Sequence, residues 1–308
     1  MRDLPGNVML ADGLPQGDAE LEPAFDILEP ARFSSPLVCN SPHSGTVYPA
    51  EFLAASRLDA FTLRRTEDTL ADRLFVHAAD IGAPLMRARF PRCYLDVNRE
   101  PYELDPRMFD GRLPAVANTR SIRVAGGLGT IPRLVGEGQE IYARRLSVDE
   151  AMQRIETIYK PYHRALHGLM MRARRHFGMC VLIDCHSMPS SARATENPGG
   201  ADFVIGDRYG TSCSPGITDA VNRELEKMGY TVSRNKPYAG GFNTEHYGNP
   251  GAGSHAIQIE VSRALYLNEA TLEVNEGFVR TQLALRRVLA ALAAHVSGIM
   301  ASGRLAAE

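Results

Sequence analysis

Cysteine is scarce and tryptophan is absent from this chain, which has five cysteines and no tryptophan among 308 residues. An odd number of cysteines without a Cys-x-x-Cys pair does not fit a disulfide framework. Cys39 and Cys185 fall within predicted strands, where we expect small buried thiols, as in a protein of a reducing compartment. The sequence therefore favours a cytoplasmic location.

An excess of charge of either sign is also missing. There are 34 basic and 36 acidic side chains, a net charge of −2, which gives no basic footprint for nucleic acid. No apolar run reaches the ~18 residues of a membrane span. The first residues include Arg2, Asp3 and Asp12 and lack the apolar region of a signal peptide. We expect a small-molecule partner and neither nucleic acid nor a membrane, and nothing in the composition sets the number of subunits.

Strand-like and helix-like segments alternate along the chain. This alternation predicts one α/β domain with a mixed sheet, covering residues 33–308. Residues 1–32 are rich in Pro, Gly, Asp and Glu and predict an irregular segment. Residues 99–146 show little periodicity, and we interpret them as an insertion near the functional site. Strands are predicted at 36–40, 84–89, 93–97, 180–185, 202–206, 230–233 and 256–261. Helices are predicted at 68–79, from Ser147 through Leu169 with an interruption at Pro161, and at 217–228. A C-terminal helix is predicted from the apolar stripe between Leu285 and Val296.

Two of the predicted strands lead into a histidine. Val181–Cys185 precedes His186, and Leu37–Asn40 precedes a Ser-Pro-His-Ser-Gly loop that contains His43. Because open α/β sheets bind ligands at the carboxyl ends of their strands, we expect both histidines at one edge of the sheet. A lone histidine is usually only a hydrogen-bonded structural residue, but two at strand ends favour a metal site.

A catalytic zinc site needs a third protein ligand. The nearest acids after His43 are Glu67 and Asp68, at the start of the predicted helix 68–79. Acids in a first turn equally suit the helix dipole, so these residues alone leave both ligand candidates open. Glu260 lies in the apolar run Ala256–Val261 and predicts a buried carboxylate that could act as a general base. A solvent-facing Glu260 on an edge strand is the alternative.

Two arginines flank the predicted strand 93–97. Arg92 precedes it, and Asn98 and Arg99 follow it. A guanidinium can hold a carboxylate through two parallel hydrogen bonds or stabilise a developing oxyanion. A surface salt bridge to Asp96 or Glu100 is the structural alternative for either arginine.

Five short motifs occur in order along the chain: Ser41-Pro42-His43-Ser44-Gly45, Asp96-Val97-Asn98-Arg99, Pro161-Tyr162-His163, Asp184-Cys185-His186-Ser187, and Gly240-Gly241 through His246-Tyr247-Gly248. Taken together, they resemble the N-formylglutamate amidohydrolase family over roughly residues 36–265. That family resembles the zinc carboxypeptidase and aspartoacylase group, so the resemblance implies a mixed, twisted sheet with helices on both faces.

The resemblance also implies roles for individual residues. His43, His186 and Asp68 would bind one divalent ion, Zn²⁺, with Glu67 still open as the third ligand. Glu260 would be the general base, and Arg92 would stabilise the oxyanion. Asn98 and Arg99 would hold the substrate α-carboxylate, and His246 would lie in the substrate-side loop. The acid at Glu245 replaces a basic residue of the family pattern.

The implied reaction is the hydrolysis of N-formyl-L-glutamate to formate and L-glutamate, and the family name implies a place in histidine breakdown. Two other functions stay open from the sequence. The first is a metal hydrolase for another N-acyl amino acid or a short peptide. The second is a non-catalytic protein that binds acidic metabolites on the same fold.

Overall fold

Seven strands form the central sheet of the computed structural model, counted over the residues that it describes: 19–136, 138–192 and 200–305. In chain order they are β1 (Phe25–Leu28), β2 (Leu37–Ser41), β3 (Leu85–Ala88), β4 (Cys180–Met188), β5 (Phe203–Gly206), β6 (Val232–Arg234) and β7 (Ser254–Ser262). Their order across the sheet is β1-β3-β2-β4-β7-β5-β6. Strands β3, β2, β4 and β7 are parallel, whereas β1 is antiparallel to β3 and β5 is antiparallel to β7. The mixed sheet that the sequence predicts is confirmed.

Helices cover both faces of this sheet. Strand residues alternate between the faces, and each set packs into its own apolar layer. One layer contains α5 and α6, and the other contains α3, α7 and α9. The helices are α1 (Ala50–Ala55), α2 (Ala60–Arg64), α3 (Ala71–Leu74), α4 (Ile122–Ala125), α5 (Val148–Arg154), α6 (Lys160–Phe177), α7 (Pro215–Lys227), α8 (Phe242–Tyr247) and α9 (Phe278–Leu305).

The face under α6 changes from apolar to polar along three neighbouring parallel strands. The amino-terminal halves of β2, β4 and β7 place apolar side chains in the core, and their carboxyl-terminal halves place polar ones on the same face. On this face, apolar Val38 is followed by polar Asn40 on β2, Leu182 is followed by Asp184 and His186 on β4, and Ala256 is followed by Gln258 and Glu260 on β7.

The chain reverses its direction of travel across the sheet at β2. It passes from β2 to β3 on one side and only later returns to β4 on the other side. A crevice forms outside the carboxyl ends of strands at such a switch point, and ligands bind there in open α/β sheets. The polar carboxyl-terminal halves of β2 and β4 therefore lie at the crevice where a ligand-binding site is expected.

Strand β1 lies within residues 1–32, for which the sequence predicts an irregular segment. Phe25–Leu28 pairs with β3, and the Phe25 ring packs edge-on against Tyr162 with centroids 5.4 Å apart. Four residues are too few for a periodic signal, and this strand forms through pairing with a distant segment. Residues 1–18 lie outside the described residues, and the domain boundary at residue 33 stays a prediction.

The predicted strand at 93–97 is wrong. The structure has turns there, with the Tyr94 and Leu95 amides donating to the Pro91 carbonyl. Leu95 and Val97 are fully buried. The apolar run thus reflects burial in the core beneath the site, which sequence periodicity cannot distinguish from a buried strand.

The predicted helix 68–79 is shorter and begins later. Leu70 has a φ of 60°, so α3 starts at Ala71, and a 3₁₀ segment at Val76–Ile81 follows it. Asp68 is left in the loop before the helix, where its amide donates to the His43 carbonyl at 3.0 Å. This backbone contact brings Asp68 next to the first histidine.

The interruption predicted at Pro161 is present. A π-helical turn at Ile155–Tyr159 separates α5 from α6, which begins at Lys160 with the proline in its first turn. Proline has no N–H and crowds the preceding turn, so a wider turn accommodates it.

Helix α9 is long and apolar enough to cross a membrane by length and composition alone. No such segment is expected from the sequence. In the structure a stripe on this helix is buried against the second apolar layer, and it consists of Leu285, Val288, Leu289, Leu292 and Val296.

We predict that truncation of this stripe destabilises the fold. Leu289→Ala should lower the free energy of unfolding by about 2–5 kcal/mol, because Leu289 is fully buried and the change leaves a cavity. Leu283→Ala on the same helix should stay within about 0.5 kcal/mol, because Leu283 is 49% exposed. Urea unfolding of both variants measures the difference, and equal losses would contradict this packing.

Candidate active site

Three buried ligand atoms converge where β2 and β4 end. His43 follows β2, His186 lies near the end of β4, and Asp68 lies in the loop before α3. Asp68 Oδ2 is 2.8 Å from His186 Nδ1 and 3.4 Å from His43 Nδ1. The three atoms all lie within 4.8 Å of one another, which is compatible with one metal ion.

The outer nitrogen of each imidazole is already bound. His43 Nε2 lies 2.7 Å from Asp96 Oδ1, and His186 Nε2 lies 2.8 Å from Asp184 Oδ2. In a neutral imidazole, a carboxylate that accepts Nε2–H leaves Nδ1 as a lone-pair acceptor. Two imidazole acceptors and the Asp68 carboxylate then face one another, and His43 Nδ1 is buried without a hydrogen-bond partner. This donor set fits a divalent cation, since metal-binding histidines commonly donate their other N–H to a carboxylate.

A third contact orients Asp68. The Arg263 guanidinium lies 3.4 Å from Asp68 Oδ1 and also donates to the Glu67 carbonyl and to Ser187 Oγ. Burial would raise the pKa of Asp68, but the adjacent imidazoles of His186 and His43 outweigh burial and hold this pKa below its usual value. The group is thus ionised, as a metal ligand must be.

The structure brings Asp68, and not Glu67, to the histidines. Glu67 Oε1 instead accepts hydrogen bonds from Tyr48 Oη at 2.7 Å and from Arg64 Nε at 3.2 Å. Burial raises the pKa of this carboxyl. The choice that the sequence leaves open is therefore decided by geometry in favour of Asp68 as the candidate third ligand.

Glu260 lies directly beside His186 in the sheet. The two residues are paired in the parallel register of β4 and β7, and Glu260 is 6% exposed. Gln258 Nε2 donates to Glu260 Oε1 at 2.8 Å. Burial raises the pKa of Glu260 to about 7, while the neighbouring His186 opposes the shift. A carboxylate with such a pKa beside a candidate metal-binding cluster has the chemistry of a general base.

A cavity of about 630 Å³ opens above these residues. His43, Asp68, His186 and Glu260 all line it, and so do Arg92, Asn98 and Arg99. The insertion 99–146 contributes part of the wall, and the loop from Pro237 to Gly241 contributes another part. The expectation that this insertion lies near the site agrees with its position in the structure.

The two predicted arginines share one carboxylate. Arg92 Nη2 donates to Asp96 Oδ2 at 2.9 Å, and Arg99 Nη2 lies 3.5 Å from the same atom. Arg99 also donates to the carbonyls of Asn98 and Leu128. Asp96 thus connects the His43 imidazole to two cationic side chains of the cavity.

Asn98 lines the cavity, but protein groups occupy its amide. Its Nδ2 lies 3.2 Å from His186 Nε2 and 3.3 Å from Asp184 Oδ2, and its Oδ1 accepts from the Asn243 amide. A Cβ at Gly241 would lie 2.5 Å from this side chain, so only glycine fits there. Asn98 thus contacts Asp184, the carboxylate that binds His186 Nε2.

His246 is predicted as a substrate-side residue, and the structure places it outside the cavity. It lies on α8, where its ring stacks on Phe242 with centroids 4.9 Å apart. Glu245, the acid at which the sequence departs from the family pattern, is largely exposed and pairs with Arg208 at 2.9 Å. Neither side chain reaches the candidate ligands.

Sequence reasoning did not assign roles to Asp184, Asp96 and Arg263. A signal for Asp184 was available, because residues two apart on a strand share a face, which puts Asp184 beside His186. Asp96 lies in the same motif as Asn98, but the strand wrongly predicted at 93–97 gave no correct indication of where the Asp96 side chain points. Arg263 reaches Asp68 across 195 positions of sequence, and no local pattern predicts such a contact.

Comparisons with known proteins identify the family of this chain. The model of the N-formylglutamate amidohydrolase family matches residues 35–267. An N-formylglutamate deformylase of Pseudomonas putida is 29% identical over 264 residues, 84% of this chain and 92% of that protein. One from Pseudomonas aeruginosa is 29% identical over 249 residues, 79% of this chain and 86% of that protein.

Solved structures also match this chain. The crystal structure of an N-formylglutamate amidohydrolase from Ralstonia eutropha JMP134 matches with a TM-score of 0.84 and 38% identity, covering 91% of this chain and 99% of that one. A gene product of Agrobacterium tumefaciens shares the fold with a TM-score of 0.58 at 20% identity, covering 92% and 95%.

The ligand assignment predicts unequal effects of two isosteric changes. Asp68→Asn should lower zinc affinity by more than about 100-fold, beyond the usual effect of losing an outer partner of a ligand. Glu67→Gln should change it by less than about tenfold, because Glu67 contacts Tyr48 and Arg64 instead. Competition titration with a zinc chelator measures both, with circular dichroism as the control for folding. Equal losses in the two variants would remove Asp68 from the ligand set.

Proposed function

This chain belongs to the N-formylglutamate amidohydrolase family, and from that premise we propose that it hydrolyses N-formyl-L-glutamate to formate and L-glutamate. The observation that carries the proposal is the alignment of Glu260 with His186 beside the His43, Asp68 and His186 cluster. A base and a metal-binding donor set then face one cavity of about 630 Å³, large enough for an N-acyl amino acid. The names of the relatives supply the substrate.

We propose that His43, Asp68 and His186 hold one zinc ion. When bound, such an ion supplies Lewis acidity, which lowers the pKa of water towards ~7 and polarises a carbonyl oxygen. The Nε2 contacts to Asp96 and Asp184 keep both imidazoles in the tautomer that binds metal.

Glu260 is proposed to move the proton. Its carboxylate takes a proton from the attacking water and returns it to the amine as the formyl C–N bond breaks. Gln258, whose Nε2 donates to Glu260 Oε1 and whose Oε1 accepts from the Gly241 amide, holds the carboxylate against the loop that closes the cavity. Arg92 is half-buried at the cavity wall and is proposed to stabilise the developing oxyanion.

Arg99 is proposed to bind the α-carboxylate. Two of its donors bind backbone carbonyls and one nitrogen faces Asp96, which fixes the plane of the guanidinium. Binding the carboxylate at a fixed guanidinium orients the formyl group for attack. Asn98 is proposed to act through Asp184, the carboxylate that orients His186, since its amide donates to Asp184 within the protein. A cytoplasmic role in histidine breakdown is the part of the proposal that rests on the family name.

The direct test is formate release. Purified protein should release formate from N-formyl-L-glutamate, lose this activity on chelation of divalent metal, and regain it when zinc is added back. Release of formate is followed with a coupled dehydrogenase assay, and bound metal is measured in the same samples. Stoichiometric zinc without formate release would exclude this substrate and favour another N-acyl amino acid.

A second prediction concerns the base. Glu260→Gln should lower kcat by about 10²- to 10⁴-fold, the usual contribution of a positioned general base, while zinc content stays unchanged. Glu245→Gln is the matched control and should keep full activity, because that side chain is exposed and lies outside the cavity. Steady-state kinetics of both variants measure the difference. Unchanged kcat in Glu260→Gln would exclude the base and favour a protein that only binds its ligand.

A further inference from the structure

Among the described residues, one half-buried arginine of the cavity has no acid partner. Arg123 lies on α4, is half-buried, and lines the cavity. The other half-buried or buried arginines of the wall are compensated: Arg92 and Arg99 by Asp96, and Arg263 by Asp68. A half-buried guanidinium without a counter-charge is costly, and an anionic ligand would offset that cost.

The backbone around Arg123 is firmly anchored. Ser121 caps α4 by accepting from the Val124 amide, and Arg107 Nη2 lies within 3.4 Å of the carbonyls at the end of the helix. The Arg123 carbonyl accepts from the Leu128 amide at 2.8 Å, and the Leu128 carbonyl accepts from Arg99 Nε at 2.9 Å. Arg123 is thus attached through one short turn to the arginine proposed to hold the α-carboxylate.

The charge of Arg123 acts on that arginine. Burial lowers the pKa of Arg99 to about 10; Asp96 opposes this shift, and the nearby charges of Arg92 and Arg123 add to it. Like charges on one wall repel until an anion lies between them. Apolar side chains of the same insertion also line the cavity, namely Leu128, Leu134 and Val135. This surface suits a methylene chain that carries a carboxylate at each end.

We infer that Arg123 binds the side-chain carboxylate of a dicarboxylic N-acyl amino acid and so sets the preference for an acidic side chain. The inference deepens the proposed function and rests on it. Arg99 and Arg123 would each hold one carboxylate, and a neutral side chain would leave Arg123 without a partner in an apolar wall. Sites built around a charged or polar contact reject analogues that lack it. Glu245 takes no part, since it pairs with Arg208 away from the cavity.

The test compares two isosteric substrates, N-formyl-L-glutamate and N-formyl-L-glutamine. Arg123→Met should lower kcat/KM for the glutamate substrate by about 10- to 100-fold, mainly through KM, as expected for loss of a charged hydrogen bond. The glutamine substrate should change by less than about threefold, so the preference collapses. Arg120→Met is the matched control, since Arg120 is exposed in the same segment and lies outside the cavity.

A rival arginine is included in the same experiment. Arg65 also lines the cavity, but its side chain is exposed, and its carbonyl accepts from Arg263. Arg65→Met should leave the preference intact. If Arg65→Met collapses the preference and Arg123→Met does not, the inference is overturned. The inference is also overturned if neither variant changes the preference for the glutamate substrate.

Binding separates this inference from the proposed function. Calorimetry with L-glutamate and L-glutamine on zinc-loaded protein needs no turnover. Tighter binding of glutamate that Arg123→Met abolishes would support the inference even if the wild type released no formate, which would defeat only the proposed function. Equal binding of both amino acids by the wild type, or a glutamate preference that survives in Arg123→Met, would overturn the inference.

Discussion

The site depends on two buried histidine–aspartate contacts. A carboxylate without a partner is costly to bury, and Asp184 is fully buried and Asp96 nearly so. Each offsets this cost by accepting from the outer nitrogen of one histidine, and that contact turns the inner nitrogen of the ring towards Asp68. The hydrogen bonds that offset the cost of burying the two aspartates therefore also orient the ligand atoms of the histidines. The convergence of three acceptors follows from it, and a cation is the partner that such a group lacks.

The sheet register then fixes the chemistry around that centre. Side chains two apart on a strand share a face, so Asp184 and His186 point the same way, and parallel pairing places Gln258 and Glu260 beside them. A slip of one residue would move all four side chains to the opposite, apolar layer. Beneath them, Tyr162 Oη donates to Asn40 Oδ1, and Asn40 Nδ2 donates to Asp184 at 2.8 Å. Helix α6 thus supports the strand that carries the candidate ligand.

The sequence predicted what local periodicity encodes. His186 and Glu260 lie on short apolar strands bounded by turns, and their strands, their burial and their shared edge could be read from that pattern. The turn that holds Asp68 was not predictable, because it depends on the positive φ of Leu70 and on the contact with distant Arg263. The predicted strand at 93–97 failed for a related reason, since its apolar residues are buried without pairing. The position of His246 outside the cavity lining could not be predicted, because it depends on how α8 packs in the fold.

The insertion 99–146 has the least periodic sequence and lines the cavity beside the candidate ligands. This can be explained by the different structural requirements of the strands and of the insertion. The strands must keep their register to aim the ligands, so they leave little freedom to fit a particular substrate. A segment with its own anchors can vary without disturbing them. Arg99 joins the two parts, because its Nη2 faces Asp96, the partner of His43, while its Nε donates to the Leu128 carbonyl of the insertion. Through this one side chain, the cavity wall formed by the insertion is held at a fixed position relative to the His43, Asp68 and His186 cluster.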